Sequence, residues 1–414
     1  MHRFDKVCVL GLGYIGLPTA TIIANRGVKV LGVDVNHRVV ETINQGEIHI
    51  VEPDLAALVR DVVRSGQLRA ATQPEHADAY VIAVPTPFRD NHAPDLSYIE
   101  AAGKSIAPCL AKGNLVILES TAPVGTTEKL AEWLARARPD LSFPQHAGED
   151  ADVQLAYCPE RVLPGHVLRE LVENDRIIGG MTQRAGQIAA DLYRLFVEAD
   201  CLLTTSRTAE MSKLTENAYR DVNIAFANEL SVICHEMGIN VWELIRLANH
   251  HPRVQILQPG PGVGGHCIAV DPWFIVDHAP ESARLIRAAR EINDRKPHFV
   301  LNRIKEVTAR FDNPVIACLG LAFKANIGDL RESPALEITR MLSEQHIGKI
   351  LAVEPNISEL KYLDNVELVD LDQALARADV IVILVDHQQF VRHDWGQLDP
   401  RNIVDPRGIL SRAA

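Results

Sequence analysis

One junction constrains the fold of this chain more than any other. Lys6-Val7-Cys8-Val9-Leu10 is a short apolar run of strand type, and Gly11-Leu12-Gly13-Tyr14-Ile15-Gly16 follows it directly. Leu17 to Arg26 then reads as a helix stopped by Gly27. Val28-Lys29-Val30-Leu31-Gly32-Val33 reads as a second strand, with Asp34 at its end. A bare GxGxxG is a weak signal. This one joins a strand to a helix, and an acid follows 18 residues after the third glycine. That pattern opens a doubly wound dinucleotide-binding sheet. Gly11, Gly13 and Gly16 allow the tight turn and the approach of a pyrophosphate to the helix N-terminus. Asp34 is suited to accept hydrogen bonds from a ribose diol and would repel a 2′-phosphate, so the reading is NAD rather than NADP. The alternative is a glycine-rich turn that holds nothing.

The alternation continues. Ala79-Tyr80-Val81-Ile82-Ala83-Val84 is a strand ending in Pro85-Thr86-Pro87, which cannot go on as a helix. Leu115-Val116-Ile117-Leu118 is another, ending in Glu119-Ser120-Thr121, with a helix start near Gly125-Thr126-Thr127. Hydroxyls at the carboxyl ends of parallel strands sit where ligands bind; a helix cap explains Thr127 equally well. From Arg207 to Gly238 one long helix is expected, then a helix at 240–248, then helices from about Ala283 to Phe311 broken near Pro297. At Pro314-Val315-Ile316-Ala317-Cys318-Leu319-Gly320 the strand–turn pattern restarts, with further strands at Ile350–Val353, Asp379–Val385 and Asn402–Asp405. This second turn, Gly320-Leu321-Ala322-Phe323-Lys324, lacks the later glycines, so a full dinucleotide is not expected there. Lys324, Arg331 and Arg407 fall near strand ends, either meeting phosphates or standing in solvent. The fold class is α/β: two Rossmann-like doubly wound domains joined by a central helical domain with one long helix. The expected boundaries are 1–200, 201–300 and 301–414.

Gly260-Pro261-Gly262-Val263-Gly264-Gly265-His266-Cys267 is too rich in glycine for helix or strand. It reads as a loop whose backbone approaches a ligand, closed by a cysteine with Asp271 four residues later. A thiol is a strong nucleophile once deprotonated, and an exposed polar loop near cations favours that form. The alternative is that Cys267 is one more small buried residue. On the long helix, Lys213, Asn217 and Arg220 share one face. Met211, Leu214, Ala218, Val222, Ile224, Ala225 and Ala227 surround that row, so much of the helix is expected to be buried. A buried polar row needs partners, which a ligand would supply; a solvated face is the competing explanation.

Composition excludes several classes. Hydrophobic residues make up 47 % and charged residues 23 %, as in an ordinary globular protein. A net charge of −12 argues against nucleic acid as a partner. No apolar run reaches membrane-spanning length, and neither a signal peptide nor a membrane partner is expected. Seven cysteines without a CxxC pair fit a reducing cytoplasm. His250, His251 and His266 are too poorly spaced to argue for a metal.

Taken together the motifs resemble the nucleotide-sugar 6-dehydrogenases, the family that includes UDP-glucose dehydrogenase. The markers run along nearly the whole chain: GLGYIGLP at Gly11–Pro18, VPTP at Val84–Pro87, ESTAPVGTT at Glu119–Thr127, YCPERVLPG at Tyr157–Gly165, KLTENAYRDVNIAFANE at Lys213–Glu229, GVGGHCIAVDP at Gly262–Pro272 and GLAFKANIGDLRESPA at Gly320–Ala335. Within the family, the stretch around the cysteine, GEIHIVEPDL and RTAEMSKLTEN are most similar to the UDP-N-acetyl-D-mannosamine dehydrogenases, with His266 before the cysteine as one marker. The resemblance implies a four-electron oxidation of a sugar C6 alcohol to a carboxylate with NAD, for surface polysaccharide biosynthesis. It implies Cys267 as nucleophile, Lys213, Asn217 and Asp271 around the developing charge, and Glu160 as acid/base. Tyr14, Ile15, Asp34, Thr86, Thr121, Thr127 and Arg331 match cofactor contacts. Arg161, Val162, Lys213, Asn217, Arg220, His251, Gly264, Phe323, Lys324 and Arg407 match UDP-sugar contacts. Arg253 matches an arginine offered to the neighbouring subunit of a homodimer. The same chemistry on UDP-N-acetylglucosamine or UDP-glucose is the near alternative. A single-hydride β-hydroxyacid dehydrogenase is the remote one, since it needs neither Cys267 nor a second α/β domain.

Overall fold

The structure is a computed structural model that describes the chain except residues 1, 51, 90–92, 163–164, 266, 361–362, 364, 397 and 413–414. His266 and two positions of the YCPERVLPG run therefore lie outside the described residues. The chain divides into two compact units, Met1–Thr215 and Glu216–Ala414.

The first unit is built on eight strands: β1 Lys6–Leu10, β2 Lys29–Val33, β3 Leu68–Ala71, β4 Ala79–Ile82, β5 Leu115–Leu118, β6 Gln154–Tyr157, β7 Arg176–Gly180 and β8 Cys201–Thr205. Their order is β3-β2-β1-β4-β5-β6-β7-β8, parallel throughout except that β6 and β7 run antiparallel. Strands buried on both faces read as continuous apolar runs. Val7 and Val9 enter the core on one face, Cys8 and Leu10 the core on the other. The sequence reading found β1, β2, β4 and β5; the remaining strands carry Gln, Arg and Thr among short apolar runs, and their pattern is weaker.

The second unit holds β9 Val315–Leu319, β10 Lys349–Val353, β11 Val366–Leu368, β12 Val380–Ile383 and β13 Ile403–Val404, all parallel in the order β11-β10-β9-β12-β13. The long helix, Ser206–Glu236, carries the chain from one unit to the next. Leu214, Ala218, Ala225 and Ala227 on it are buried, Val222 and Ile224 half-buried, and Met211 is exposed against expectation. The break expected near Pro297 is absent: one helix runs Arg284–Thr308 with Pro297 inside. Proline removes one helical N–H. Val300, Leu301 and Ile304 beyond it are buried against the second sheet, and that burial keeps the helix going.

Candidate functional site

In the first unit the site begins at the turn after β1. Gly11 has φ +86°, and a Cβ there would lie 2.4 Å from the Ala83 carbonyl oxygen. A Cβ on Gly16 would lie 1.8 Å from the Gly11 carbonyl oxygen. Gly13 differs: a Cβ there would meet nothing within 4 Å, so its backbone faces open space. The helix Gly16–Asn25 starts beside it, with no side-chain cap and no acid in its first turn. Its first N–H groups are those that a pyrophosphate satisfies. Asp34 ends β2 half-buried; its carboxylate accepts from Leu12 N–H at 3.0 Å and Asn36 N–H at 2.9 Å. These residues fit NAD. Tyr14 is exposed and Ile15 half-buried at the same turn.

The ends of β4 and β5 are tied together. Thr86 donates to the Thr121 carbonyl at 2.5 Å, and Ser120 to the Val84 carbonyl at 2.7 Å. Thr127 is fully buried, and both its N–H (2.8 Å) and its hydroxyl (2.7 Å) donate to Glu210. Glu210 also accepts from Gly125 N–H at 2.6 Å. An acid far along the chain thus closes the helix N-terminus, in place of a threonine cap.

Glu160 follows β6 and is buried. Its Oε2 accepts from Val162 N–H at 2.5 Å and its Oε1 from Arg176 at 3.1 Å. Arg176, on β7, is 4 % exposed and pairs with Glu119 as well. The hydroxyls of Tyr193 and Thr19 both donate to Glu119, at 3.1 and 3.3 Å, and the Arg176 guanidinium lies 4.6 Å over the Tyr193 ring. Burial pushes Glu119 up to about 7, against the pull of Arg176. Arg161 is half-buried and donates to the Asp175 carbonyl. Beyond it, buried Glu52 accepts from Gly165 N–H (2.8 Å) and Val167 N–H (2.7 Å), which fixes the end of the segment that follows. Neither Arg176, Glu52 nor Glu210 was legible as a functional residue. Their sequence signal is only a charge at the edge of an apolar run.

Lys213 is half-buried on the long helix. In the second unit Asn217 is half-buried too and donates to buried Asp271 at 2.5 Å, while Arg220 is exposed. Asp221, also buried, accepts from Arg290 at 2.6 Å and Asn293 at 2.8 Å. Asn228 accepts the Gly260 N–H at 2.9 Å, which anchors the start of the cysteine loop. The loop's glycines also meet the protein's own chain. A Cβ on Gly264 would lie 2.4 Å from the Glu332 carbonyl oxygen, and one on Gly265 2.9 Å from the Phe323 ring. Both glycines permit a close approach of the 323–334 segment.

Cys267 is the one exposed cysteine of the seven, none of which is joined in a disulfide. Its carbonyl accepts from Val270 N–H at 3.0 Å and Asp271 N–H at 2.8 Å, so it heads the turn that leads into the helix Asp271–His278. By contrast, burial pushes Cys8 and Cys318 up to about 12 and Cys158 higher still, which removes them as thiolates. His251 and Arg253 are exposed, and His251 Nδ1 accepts from Arg253 N–H at 3.3 Å. Phe323 is half-buried and Lys324 exposed. Arg331 forks onto neighbouring Asp329, with its closest contact at 2.6 Å. Arg407 donates to Asp386 at 2.5 Å. Among the described residues, no group of His, Cys, Asp or Glu is placed to hold a metal ion, and no helix is long and apolar enough to cross a membrane.

Comparison with known proteins agrees along the whole chain. Residues 5–197 match the NAD binding domain of the UDP-glucose/GDP-mannose dehydrogenase family, 207–295 its central domain and 317–412 its UDP binding domain. An NDP-N-acetyl-D-galactosaminuronic acid dehydrogenase of Ralstonia nicotianae is 65 % identical over 409 residues, 99 % of this chain and 97 % of the relative. A UDP-N-acetyl-D-mannosamine dehydrogenase of Escherichia coli is 60 % identical, covering 98 % and 99 % of the two chains. The solved UDP-D-ManNAc dehydrogenase of Pyrococcus horikoshii superimposes with a TM-score of 0.87 at 40 % identity, covering 98 % and 96 %. With three family domains in sequence and an NAD-fitted turn at the head of the first, the chain belongs to the UDP-glucose/GDP-mannose dehydrogenase family and is an NAD-dependent nucleotide-sugar dehydrogenase.

Proposed function

We propose that this enzyme oxidises UDP-N-acetyl-D-mannosamine at C6 to UDP-N-acetyl-D-mannosaminuronic acid, a building block of a surface polysaccharide. The observation that carries the reading is the single exposed cysteine, Cys267, in a chain 60 % identical to UDP-N-acetyl-D-mannosamine dehydrogenases almost end to end. Gly11, Gly13, Tyr14, Ile15, Gly16, Asp34, Thr86, Thr121, Thr127 and Arg331 form the cofactor site, Thr127 by fixing its helix end through Glu210. NAD, when bound, accepts the hydride in each of the two oxidations.

The chain's own residues do the rest. Lys213 takes the alcohol proton and then stabilises oxyanions. The Cys267 thiolate forms a C–S bond to the aldehyde carbon, giving a thiohemiacetal; loss of the second hydride leaves a thioester. Glu160 assists water in the last step, which breaks the C–S bond and returns the thiolate. Asn217 and Asp271 hold charge and water. Alcohol and water together become carboxylate and protons, with two hydrides removed. Arg161, Val162, Arg220, His251, Gly264, Phe323, Lys324 and Arg407 bind the UDP-sugar. Three functional parts, 1–200, 201–300 and 301–414, divide these tasks, as the three family matches support. Seven free cysteines favour a reducing cytoplasm as the place of work.

A second substrate reading has its own support: two relatives, 65 % and 64 % identical, are named for N-acetyl-D-galactosaminuronic acid. Purified enzyme with NAD and each of UDP-N-acetylmannosamine, UDP-N-acetylgalactosamine, UDP-N-acetylglucosamine and UDP-glucose decides between them. The mannosamine sugar is expected to turn over best and to give two NADH per uronic acid. Best turnover of the galactosamine sugar moves the assignment to the second reading. One NADH with an aldehyde or ketone product sinks the thioester route. Cys267→Ala is expected to bind both ligands and make no acid.

The enzyme works as a homodimer in this reading. Tyr219, Phe226 and Ile233 form an exposed apolar stripe along the long helix, continued by Met237 just past its end, and Arg253 is exposed. If Arg253 completes the partner's site, Arg253→Ala and Cys267→Ala mixed in one dimer leave one intact site. Co-expression then restores about a quarter of wild-type activity. No recovery, with mixed dimers confirmed by mass, places Arg253 in its own subunit's site.

A further inference from the structure

The segment after β12, Val385-Asp386-His387-Gln388, has no role in the reading above, yet the proposed UDP-sugar residues of the second unit rest on it. Asp386 holds Arg407. Val385 lies over the turn, where a Cβ on Gly320 would be 2.3 Å from its own. His387 is 1 % exposed. Its Nδ1 accepts the Asn326 backbone N–H at 2.9 Å. A backbone N–H can only donate, so Nδ1 carries no proton. The Asn356 amide stands at 3.2 Å from the same nitrogen and donates to it as well. The ring proton is therefore on Nε2, which donates to Glu354 Oε2 at 3.0 Å.

Glu354 in turn accepts from Leu321 N–H at 2.8 Å and Ala322 N–H at 3.0 Å. Asn326 is clamped a second time, because its side-chain oxygen accepts from Gln388 N–H at 2.9 Å. Its φ is +62°, a conformation that costs most residues energy and that asparagine tolerates. Phe323 and Lys324 thus lie between two anchors: the Glu354-bound amides before them and the His387-bound amide after them. One imidazole joins the acid of the first anchor to the amide of the second.

We infer that His387 is a positioning residue for the UDP-sugar: as a neutral Nε2–H imidazole it bridges Glu354 to Asn326 and fixes the loop that presents Phe323 and Lys324. The inference rests on the reading of that loop as part of the UDP site.

Two variants separate the two bonds. In His387→Asn the side-chain oxygen replaces Nδ1 and keeps the acceptor for Asn326. In His387→Gln the amide nitrogen replaces Nε2, keeps the donor to Glu354 and leaves Asn326 without its acceptor. His387→Gln is expected to raise KM for the UDP-sugar, and Kd for UDP itself, about tenfold. Its kcat and its KM for NAD stay within about twofold of wild type; His387→Asn stays close to wild type in all of them, because Glu354 keeps its donors Leu321, Ala322 and Asn356 when the imidazole is lost. Hydrogen exchange of residues 320–327 in the free protein quickens in His387→Gln and not in His387→Asn. Equal losses in both variants, for both ligands and for kcat, would reduce His387 to a structural residue and overturn the inference. So would an unchanged His387→Gln in a protein where Lys324→Ala weakens UDP. If Lys324→Ala leaves UDP affinity unchanged, the site reading itself fails, and the exchange of residues 320–327 still judges the clamp.

Discussion

After the first strand of each sheet stands a glycine with left-handed backbone, Gly11 at φ +86° and Gly320 at φ +90°. Each donates its N–H to the end of the neighbouring strand at 2.8 Å, Gly11 to Val33 and Gly320 to Val353. Strand order matches too, β3-β2-β1-β4-β5 against β11-β10-β9-β12-β13, and an acid ends the second strand in both, Asp34 and Glu354. The two units then part. After Gly11 the helix begins at Gly16; after Gly320 no helix begins until Pro334. Gly13 faces open space, whereas Ala322 in the corresponding place is buried. Asp34 is half-buried, while Glu354 is buried and bonded by Leu321, Ala322, Asn356 and His387. The difference teaches that one topology makes two kinds of nucleotide end. Where the turn is bare glycine and runs into a helix, a pyrophosphate has amides to bind. Where the acid is spent on the protein's own loop, the proposed function leaves recognition to the loop's side chains.

The strongest way to break the comparison is at Gly16. A Cβ there collides with the Gly11 carbonyl, so Gly16→Val is expected to abolish NAD binding and cost roughly 3 kcal/mol or more of stability. UDP binding, titrated calorimetrically, is expected to survive where the protein folds. Retained NAD binding would show that the turn is not the cofactor cradle.

Two buried acids, one in each unit, are next expected to answer pH with opposite sign. Burial holds Glu119 at about 7, above the ordinary glutamate value, so the folded form binds the extra proton. Its contribution is full at acid pH and is lost as pH rises through about 7, on the order of 3 kcal/mol in all. Glu354 runs the other way. Burial alone would raise it, but bonds from His387, Leu321 and Ala322 hold it below the usual carboxylate range. Its contribution is present near neutrality and is lost as pH falls through that lowered value. Hydrogen exchange of β5 and β7 against β9 and β10, followed across pH, reads the two separately. Glu119→Gln is expected to flatten the first profile and leave the second unchanged; a parallel response of both units contradicts the contrast.

The smallest effect belongs to Asp34. Asp34→Asn keeps an acceptor for the Leu12 N–H but removes the charge. Wild type is expected to prefer NAD strongly over NADP, and the variant to lose about tenfold in NAD affinity while its preference narrows. Equal use of both cofactors by the wild type would place the acid away from the ribose.

Much of this was legible before any coordinates. Period and punctuation are local, so Leu10-Gly11 and Leu319-Gly320 announced their turns, and Cys267 stood out by the loop around it. The break expected at Pro297 failed because helix propensity is local and the burial of Val300, Leu301 and Ile304 is not. That Phe323 and Glu332 lie against the loop glycines was not legible, because those residues stand some sixty positions further along the chain.

By itself, then, the sequence determined the two-turn α/β plan and NAD as the cofactor, and singled out Asp34 and the candidate nucleophile. Each of these is written in the spacing of neighbouring residues. Only the tertiary structure decided that Arg176 joins Glu119 to Glu160, that Glu210 closes the helix at Thr127 and that His387 fixes the loop at Asn326. Those partners lie far apart along the chain. A buried charge or amide is bound to whatever acceptor the fold brings to it, and one-dimensional order does not record which.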